Sequence, residues 1–316
     1  MKAETWFRHP MGILISSLGA TVLWGSALPI VKLSYAHLDM KQGDFFGQWV
    51  FAGYRFTMAG IILILLSTIL GKNTNIGRPK LSLSRLFRLG AIQTFMQYLL
   101  LYVGLSYSSG IEGSILVGST SFFQILTARF MAPREKLIAA KWWGLLMGFA
   151  GIVVMGFGQS GGLHFQFGIG SVLLLASAVF GGFGNVLARQ ESMHESVISL
   201  TGKQMLIGGL GLLLVGGVKR GFVPYSFDGQ AVGLLLYLSL LSAAGFALWN
   251  TVMKYNSVGR VSMYLFFIPV FGVILSAIIL QEQVSSWVGL SLLFVVAGII
   301  TVNVSGRQSK QEAQEV

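Results

Sequence analysis

Apolar residues in this chain gather into ten long runs separated by short polar connectors. The runs fall near 11–33, 48–70, 87–107, 111–131, 138–158, 167–188, 199–218, 230–252, 261–281 and 286–304. Each has the roughly 17 to 25 residues that an α-helix needs to cross a hydrocarbon layer about 30 Å thick. The first run follows a short basic segment with Lys2 and Arg8. It is longer than the apolar stretch of a signal peptide, and no small-residue cleavage site follows it, so it is expected to stay as a span.

The runs repeat as a set about 148 residues apart. Arg55-Phe56-Thr57-Met58-Ala59-Gly60, opening the second run, answers Lys203-Gln204-Met205-Leu206-Ile207-Gly208, opening the seventh. Glu135, Leu137 and Ala150-Gly151-Ile152-Val153 recur as Glu282, Val284 and Ala297-Gly298-Ile299-Ile300. A unit with an odd number of spans, repeated in tandem, must lie upside down relative to its partner. Two inverted halves around a midplane site form a secondary-transporter architecture. The expected fold is therefore an all-α membrane protein of ten transmembrane helices, built as two inverted five-helix repeats. Residues 1–158 form the first repeat, 159–306 the second, and 307–316 a polar tail.

Composition agrees. The chain has 316 residues, of which 54% are hydrophobic and 10% charged, and its mean hydropathy is +0.73. Soluble proteins carry about 25% charged residues, so lipid is the expected solvent. The net charge of +11 does not point to nucleic acid, because the basic residues sit in loops instead of along one face. With the N-terminus inside, seventeen Lys and Arg fall in inner segments. Only Lys41, Lys219 and Arg220 fall in outer ones, and Lys32 and Arg55 lie within spans. That bias puts both termini in the cytoplasm of a bacterial inner-membrane protein.

Enzymatic chemistry finds little support. No phosphate-binding glycine loop precedes Lys72 or Lys203, there is no cysteine, and His9, His37, His164 and His194 are scattered. No catalytic residue, metal or cofactor is expected. Gly158-Gln159-Ser160-Gly161-Gly162 resembles a nucleophile loop only superficially, because a nucleophile needs a rigid elbow and an oriented base. The glycine runs Gly181-Gly182-Phe183-Gly184 and Gly208-Gly209-Leu210-Gly211 read as close helix packing.

Several segments resemble the EamA-type branch of the drug/metabolite transporter superfamily. Leu23-Trp24-Gly25-Ser26-Ala27-Leu28-Pro29 is similar to the tryptophan-glycine signature of that family's first span, and Arg55-Phe56 to the pair in its second. The stretch from Pro269-Val270-Phe271-Gly272 through Leu280-Gln281-Glu282 to Trp287-Val288-Gly289 resembles its closing signature. Two segments depart from the pattern: Ser121-Phe122-Phe123 lacks the span-four proline, and Trp142-Trp143-Gly144 is displaced by two residues. The resemblance implies a 5+5 inverted repeat and carrier-type transport of small metabolites, commonly export of amino acids.

The candidate substrate-binding residues are the neutral polar and aromatic groups at mid-depth. They are Trp24, Ser26, Gln93, Gln97, Tyr98, Ser121, Gln124, Asn185, Trp249, Asn250 and Tyr264. Singly, each reads as an interhelical hydrogen bond or a packing aromatic. Together they suit a neutral or zwitterionic solute with an apolar side chain. Lys32, Arg55 and Glu112 are the charge or gating candidates, since ionisable groups within spans are costly. In the structural reading Lys32 snorkels and Arg55 pairs with Glu112 or another acid; in the functional one Arg55 or Lys32 attracts a carboxylate-bearing solute. Glu135 and Glu282 read as helix caps.

The chain is thus expected to export small organic metabolites, amino acids or related zwitterions, by alternating access. The alternatives are a multidrug or cationic-compound efflux carrier and, in other classes, an intramembrane enzyme or a membrane receptor or assembly subunit. No mid-membrane carboxylate favours cation efflux, Glu112 being the one exception. The partners are a small-molecule substrate and the lipid bilayer, without nucleic acid, in a monomer or homodimer. An intramembrane enzyme would use Ser160; Ser160→Ala is expected to keep full flux in a transport assay, and loss of function would revive that reading.

Overall fold

A computed structural model describes residues 3–71, 81–131, 139–159, 168–294, 296–298 and 301. Helices make up its regular structure, and no strand occurs among the described residues. A short amphipathic start, α1 (Ala3–Arg8), leads into α2 (Pro10–His37) and α3 (Phe45–Ile69). Next come α4 (Leu83–Gly90), a π-helical turn at Ala91–Met96 and α5 (Gln97–Ser106), which run on as one continuous helix. The first half ends with α6 (Gly110–Gly118), α7 (Thr120–Met131) and α8 (Ala139–Gln159). The second holds α9 (Ile169–Glu191), α10 (Val197–Arg220), α11 (Gly229–Tyr255), α12 (Val258–Val261), a 3₁₀ segment at Ser262–Phe266 and α13 (Phe267–Ile279). A shorter apolar helix, α14, follows at Ser286–Gly298.

Local chemistry sets the helix starts. Pro10 stands in the first turn of α2, where a missing N–H costs nothing, and the His9 ring accepts from Met11 N. Asp44, Ser82, Ser109, Ser196 and Asp228 each accept a backbone N–H three residues on, at the starts of α3, α4, α6, α10 and α11. The Ser82 cap explains why the third helix begins at Leu83, earlier than its apolar run.

Among the described residues, seven helices are long and apolar enough to cross a membrane: 10–37, 45–69, 83–106, 169–191, 197–220, 229–255 and 258–279. The fourth expected span is interrupted, because α6 ends at Gly118 and α7 begins at Thr120, with Ser119 between them in a looser turn. Its counterpart in the second half breaks as well, at the 3₁₀ segment before α13. The two breaks face each other: a β-carbon on Gly118 would fall 2.8 Å from the Pro269 ring. The span-four proline missing from the first half is thus met by the proline of the second.

The tightest packing in the bundle is between α3 and α10. They run antiparallel, Gly53 lying against Leu213, Gly60 against Leu206, Gly209 against Thr57 and Gly216 against Phe46. Each glycine meets partner backbone: a β-carbon on Gly209 would lie 2.5 Å from the Thr57 amide nitrogen, and one on Gly53 would lie 2.6 Å from Leu213 N. Without a side chain the axes approach closely and dispersion does the joining, the usual route in lipid. Around this pair, α2 packs on α11 and α13, while α9 packs on α5, α6 and α7. The first helix of each half therefore rests on the third and fourth of the other. Gly181, Gly182 and Gly184 of α9 serve that contact, lying against Gln97, the Gln124 amide and Gln93 respectively.

Gly209→Ala is expected to lower the melting midpoint of the purified protein in detergent, because overpacking costs on the order of 1–3 kcal/mol. Gly233→Ala carries the same helix-propensity gain of about 1 kcal/mol but meets no atom within 4 Å, so it should be neutral or stabilising. Equal midpoints for the two variants would refute the α3–α10 contact.

Candidate functional site

The helices surround a narrow central cavity of about 50 Å³. Trp24, Leu28 and Val31 of α2, Arg55 of α3, and Gln97, Tyr98 and Leu101 of α5 line it from the first half, with Val117 and Thr120 at the span-four break. Asn185 of α9, Phe246 of α11, Leu265 of the 3₁₀ segment and Ile268 of α13 complete it from the second half. Aromatic contacts run continuously along one wall. Phe56 and Tyr98 lie 4.0 Å apart between ring centroids, Tyr98 and Phe246 6.3 Å, Phe246 and Trp24 5.1 Å, and Trp24 and Trp249 5.8 Å. Among the described residues the lining contains one formal charge, Arg55, and no carboxylate.

Helical geometry places that charge. Gly53 and Thr57 face α10, and Arg55, two residues from either, is turned roughly 200° around α3 towards α5 and α11. It is 2% exposed. Its Nε donates to Ser242 Oγ at 2.7 Å, and Nη1 donates to the Tyr102 hydroxyl at 3.1 Å. The guanidinium carbon stands 4.9 Å from the Phe56 ring centroid and 5.8 Å from that of Tyr98, within cation–π range. The expected ion pair with Glu112 does not form. That carboxylate accepts from Ser171 Oγ at 2.6 Å instead, near the end of the bundle where α6 and α9 begin, and among the described residues no acid pairs with Arg55.

The other amides link into a buried chain beside the cavity. Gln93 Nε2 donates to Asn185 Oδ1 at 2.9 Å, Asn185 Nδ2 donates to Gln124 Oε1 at 2.7 Å, and Gln124 Nε2 donates to Ser262 Oγ at 2.7 Å. Four helices, two from each half, are joined by three hydrogen bonds in a low-dielectric interior, where such chains polarise one another. Several cavity-side groups stay unpaired: Gln97 Oε1, Trp24 Nε1, Gln93 Oε1 and, behind the wall, Trp249 Nε1 and Asn250 Oδ1. A buried polar group without a partner costs about 1–3 kcal/mol.

Of the residues singled out from sequence, Trp24, Gln97, Tyr98, Asn185 and Arg55 meet in the cavity lining. Gln93 and Gln124 stand behind it in the amide chain. Ser26 shares a 2.7 Å hydrogen bond with the Tyr237 hydroxyl, Ser121 returns its own to Gly118 O, and Asn250 donates to Thr201 Oγ1. Tyr264 is outside the lining and packs against the apolar cluster of Ile13 and Met253, and Trp249 is buried behind Trp24. Glu135, Ser160 and His164 lie outside the described residues. Sequence reasoning did not find Tyr102 and Ser242, which hold Arg55, or the apolar lining residues; a tyrosine or serine inside a span carries no distinguishing signal.

Polar latches close both ends of the bundle. At the end away from the N-terminus, Lys32 Nζ donates to Ser108 O at 2.7 Å, beyond the last turn of α5. Glu282 accepts from the Gly110 and Ile111 amides at 2.7 and 2.8 Å, so its carboxylate caps α6 and ties the segment after α13 to it. An open vestibule of about 630 Å³ lies at this end, edged by His37, Asp44, Arg220 and Tyr225. The Ala231 amide and then His37, 2.8 Å away, hold the Asp228 carboxyl below its ordinary range. Burial, then the Asp44 carboxylate that Tyr225 donates to at 2.6 Å, pushes the Tyr225 hydroxyl up and keeps it a donor. At the opposite end, Glu191 lies between Arg88 (3.3 Å) and Arg85 (3.8 Å), Glu195 pairs with Lys203, and Arg189 Nε reaches Met253 O at 3.0 Å.

This architecture has known counterparts. The EamA-like transporter family model matches residues 11–157 and 168–304, twice in tandem over most of the chain. An uncharacterized transporter of Bacillus subtilis, YvbV, is 25% identical over 301 residues, which cover 92% of each chain. A probable amino-acid metabolite efflux pump of Escherichia coli is 22% identical over 303 residues, 92% of this chain and 94% of that one. A solved crystal structure superposes with a TM-score of 0.70 at 18% identity, covering 95% of this chain and 99% of its own, which shows the shared fold. The chain belongs to the EamA-like transporter family, within the drug/metabolite transporters, and is a multi-pass membrane transporter of a small molecule and not an enzyme.

Proposed function

We propose that the protein is a secondary carrier of the bacterial inner membrane that exports small organic metabolites, amino acids or related zwitterions, by alternating access. The moving parts are two inverted five-helix repeats: α2, α3, α4–α5, α6–α7 and α8, then α9, α10, α11, α12–α13 and α14. Both termini lie in the cytoplasm.

The observation that carries this reading is the central cavity, built from both halves and lined by aromatic rings, amides and one buried cation, with no carboxylate. A lining that is mostly apolar with a few placed polar groups suits small organic solutes. The exchanged packing, α2 on α11 and α13 against α9 on α5 and α7, supports inversion, since a twofold axis in the membrane plane would relate the two sets. Polar latches at both ends give a rocking motion contacts to break in alternation. The loop charge supports the cytoplasmic termini. Two relatives named as probable amino-acid metabolite efflux pumps agree with the solute class.

Multidrug efflux is the second reading, because the aromatic wall would also accept flat cations. Against it, the one buried acid nearby, Glu112, is absent from the cavity lining and engages Ser171. A proton-coupled cation exchanger needs its acid where the cation sits.

Proteoliposomes preloaded with unlabelled amino acids should show accelerated counterflow of at least one labelled neutral amino acid. Absence of exchange across a panel of amino acids and drugs would defeat the metabolite reading. Glu112→Gln is expected to leave amino-acid exchange within about threefold, a change worth less than 1 kcal/mol. Its abolishing a pH-dependent efflux of cations would favour the multidrug reading instead.

A further inference from the structure

We propose, resting on the carrier reading above, that the Arg55 guanidinium is the docking point for the carboxylate of the transported solute. The substrate class is then monocarboxylates with a compact apolar or aromatic side chain, and the carboxylate, more than the amine, decides what is taken.

Arg55 has five N–H donors in a rigid fork, and protein acceptors engage two of its nitrogens. Nε is held by Ser242 from α11 and Nη1 by Tyr102 from α5, one partner from each half. Nη2 donates to no protein atom among the described residues. The fork is thus oriented from both sides with one edge left over, and the residue that carries it lines the cavity. A buried cation normally finds a carboxylate; this one has aromatic faces instead. Ring faces stabilise a cation without neutralising it, so its affinity for an anion survives. Planar, two-point recognition of a carboxylate is what a guanidinium supplies and an ammonium does not. Lys32, the other charged candidate, is already engaged: it donates to Ser108 O and lies within electrostatic reach of Glu282 and Glu112. The rest of the lining, Leu101, Phe246, Leu265 and Ile268 with Trp24 and Tyr98, suits the apolar end of the solute. Without a carboxylate in the lining, a free amine gains nothing comparable.

Four probes that differ only at the head group test this on the full-length protein: phenylalanine, 3-phenylpropionate, phenylalaninamide and phenethylamine, with the leucine series in parallel. Binding is read by equilibrium dialysis in detergent, and transport by counterflow in proteoliposomes. The wild type should bind the amino acid and the plain acid at least tenfold more tightly than the amide or the amine. Arg55→Lys, which keeps the charge but loses the fork, should weaken the acids about tenfold and leave the amide unchanged. Equal binding of acid and amide by the wild type overturns the proposal without any variant, as does failure of every acid in both series to bind. An undiminished acid preference in a folded Arg55→Lys protein overturns it as well. Counterflow without acid preference would keep the carrier and remove the carboxylate site. Arg55-dependent acid binding without counterflow would keep the site and remove the carrier.

Discussion

The antiparallel contact between α3 and α10 is the constraint on which the rest of the bundle depends. In lipid, helices gain nothing by hiding apolar surface from one another, so they join where small residues let backbones meet. Gly53 and Gly60 on α3, with Gly202, Gly209 and Gly216 on α10, give that contact an uninterrupted face. Because the pair takes one helix from each half, it also determines what can lie beside it. The glycine face of α3 is committed to α10, which leaves Arg55 on the other side, among Tyr98, Tyr102 and Ser242. The same packing that makes the bundle cohere therefore aims its one cavity cation.

Polar groups inside the bundle fall into two kinds. Those that are paired, such as the chain from Gln93 through Asn185 and Gln124 to Ser262, join helices and are satisfied by one another. Among those that are unpaired, Gln97 Oε1 and Trp24 Nε1 belong to residues that line the cavity, where a polar solute can repay their desolvation. A transporter of this form cannot satisfy every buried group internally, since a cavity whose polar atoms are all paired holds its solute only by shape.

Two helices of the bundle are discontinuous. Both fourth spans lose regular geometry within their length, at Ser119 in one half and the Ser262–Phe266 turn in the other, and the two segments meet at Gly118 and Pro269. The cavity reaches both through Val117, Thr120, Leu265 and Ile268. Where a membrane helix is broken, its backbone must be covered by protein or line a cavity, and here the breaks border the cavity.

Much of this was legible in the chain alone. Apolar runs of membrane-spanning length, the doubled motifs and the sparse charge identified an all-helical membrane transporter, because lipid imposes a length and a composition on every span. The same patterning named Trp24, Gln97, Tyr98, Asn185 and Arg55, polar or aromatic groups too costly to stand in lipid without a reason. It could not separate them from Ser26, Ser121, Asn250 or Tyr264, which the fold turns to other partners, nor show that Arg55 lacks an acid while Glu112 has found a serine. Cost per residue is a property of the sequence and its solvent. Which groups share a cavity depends on helix rotation and on the partner helix, and those were settled only when the glycine faces packed.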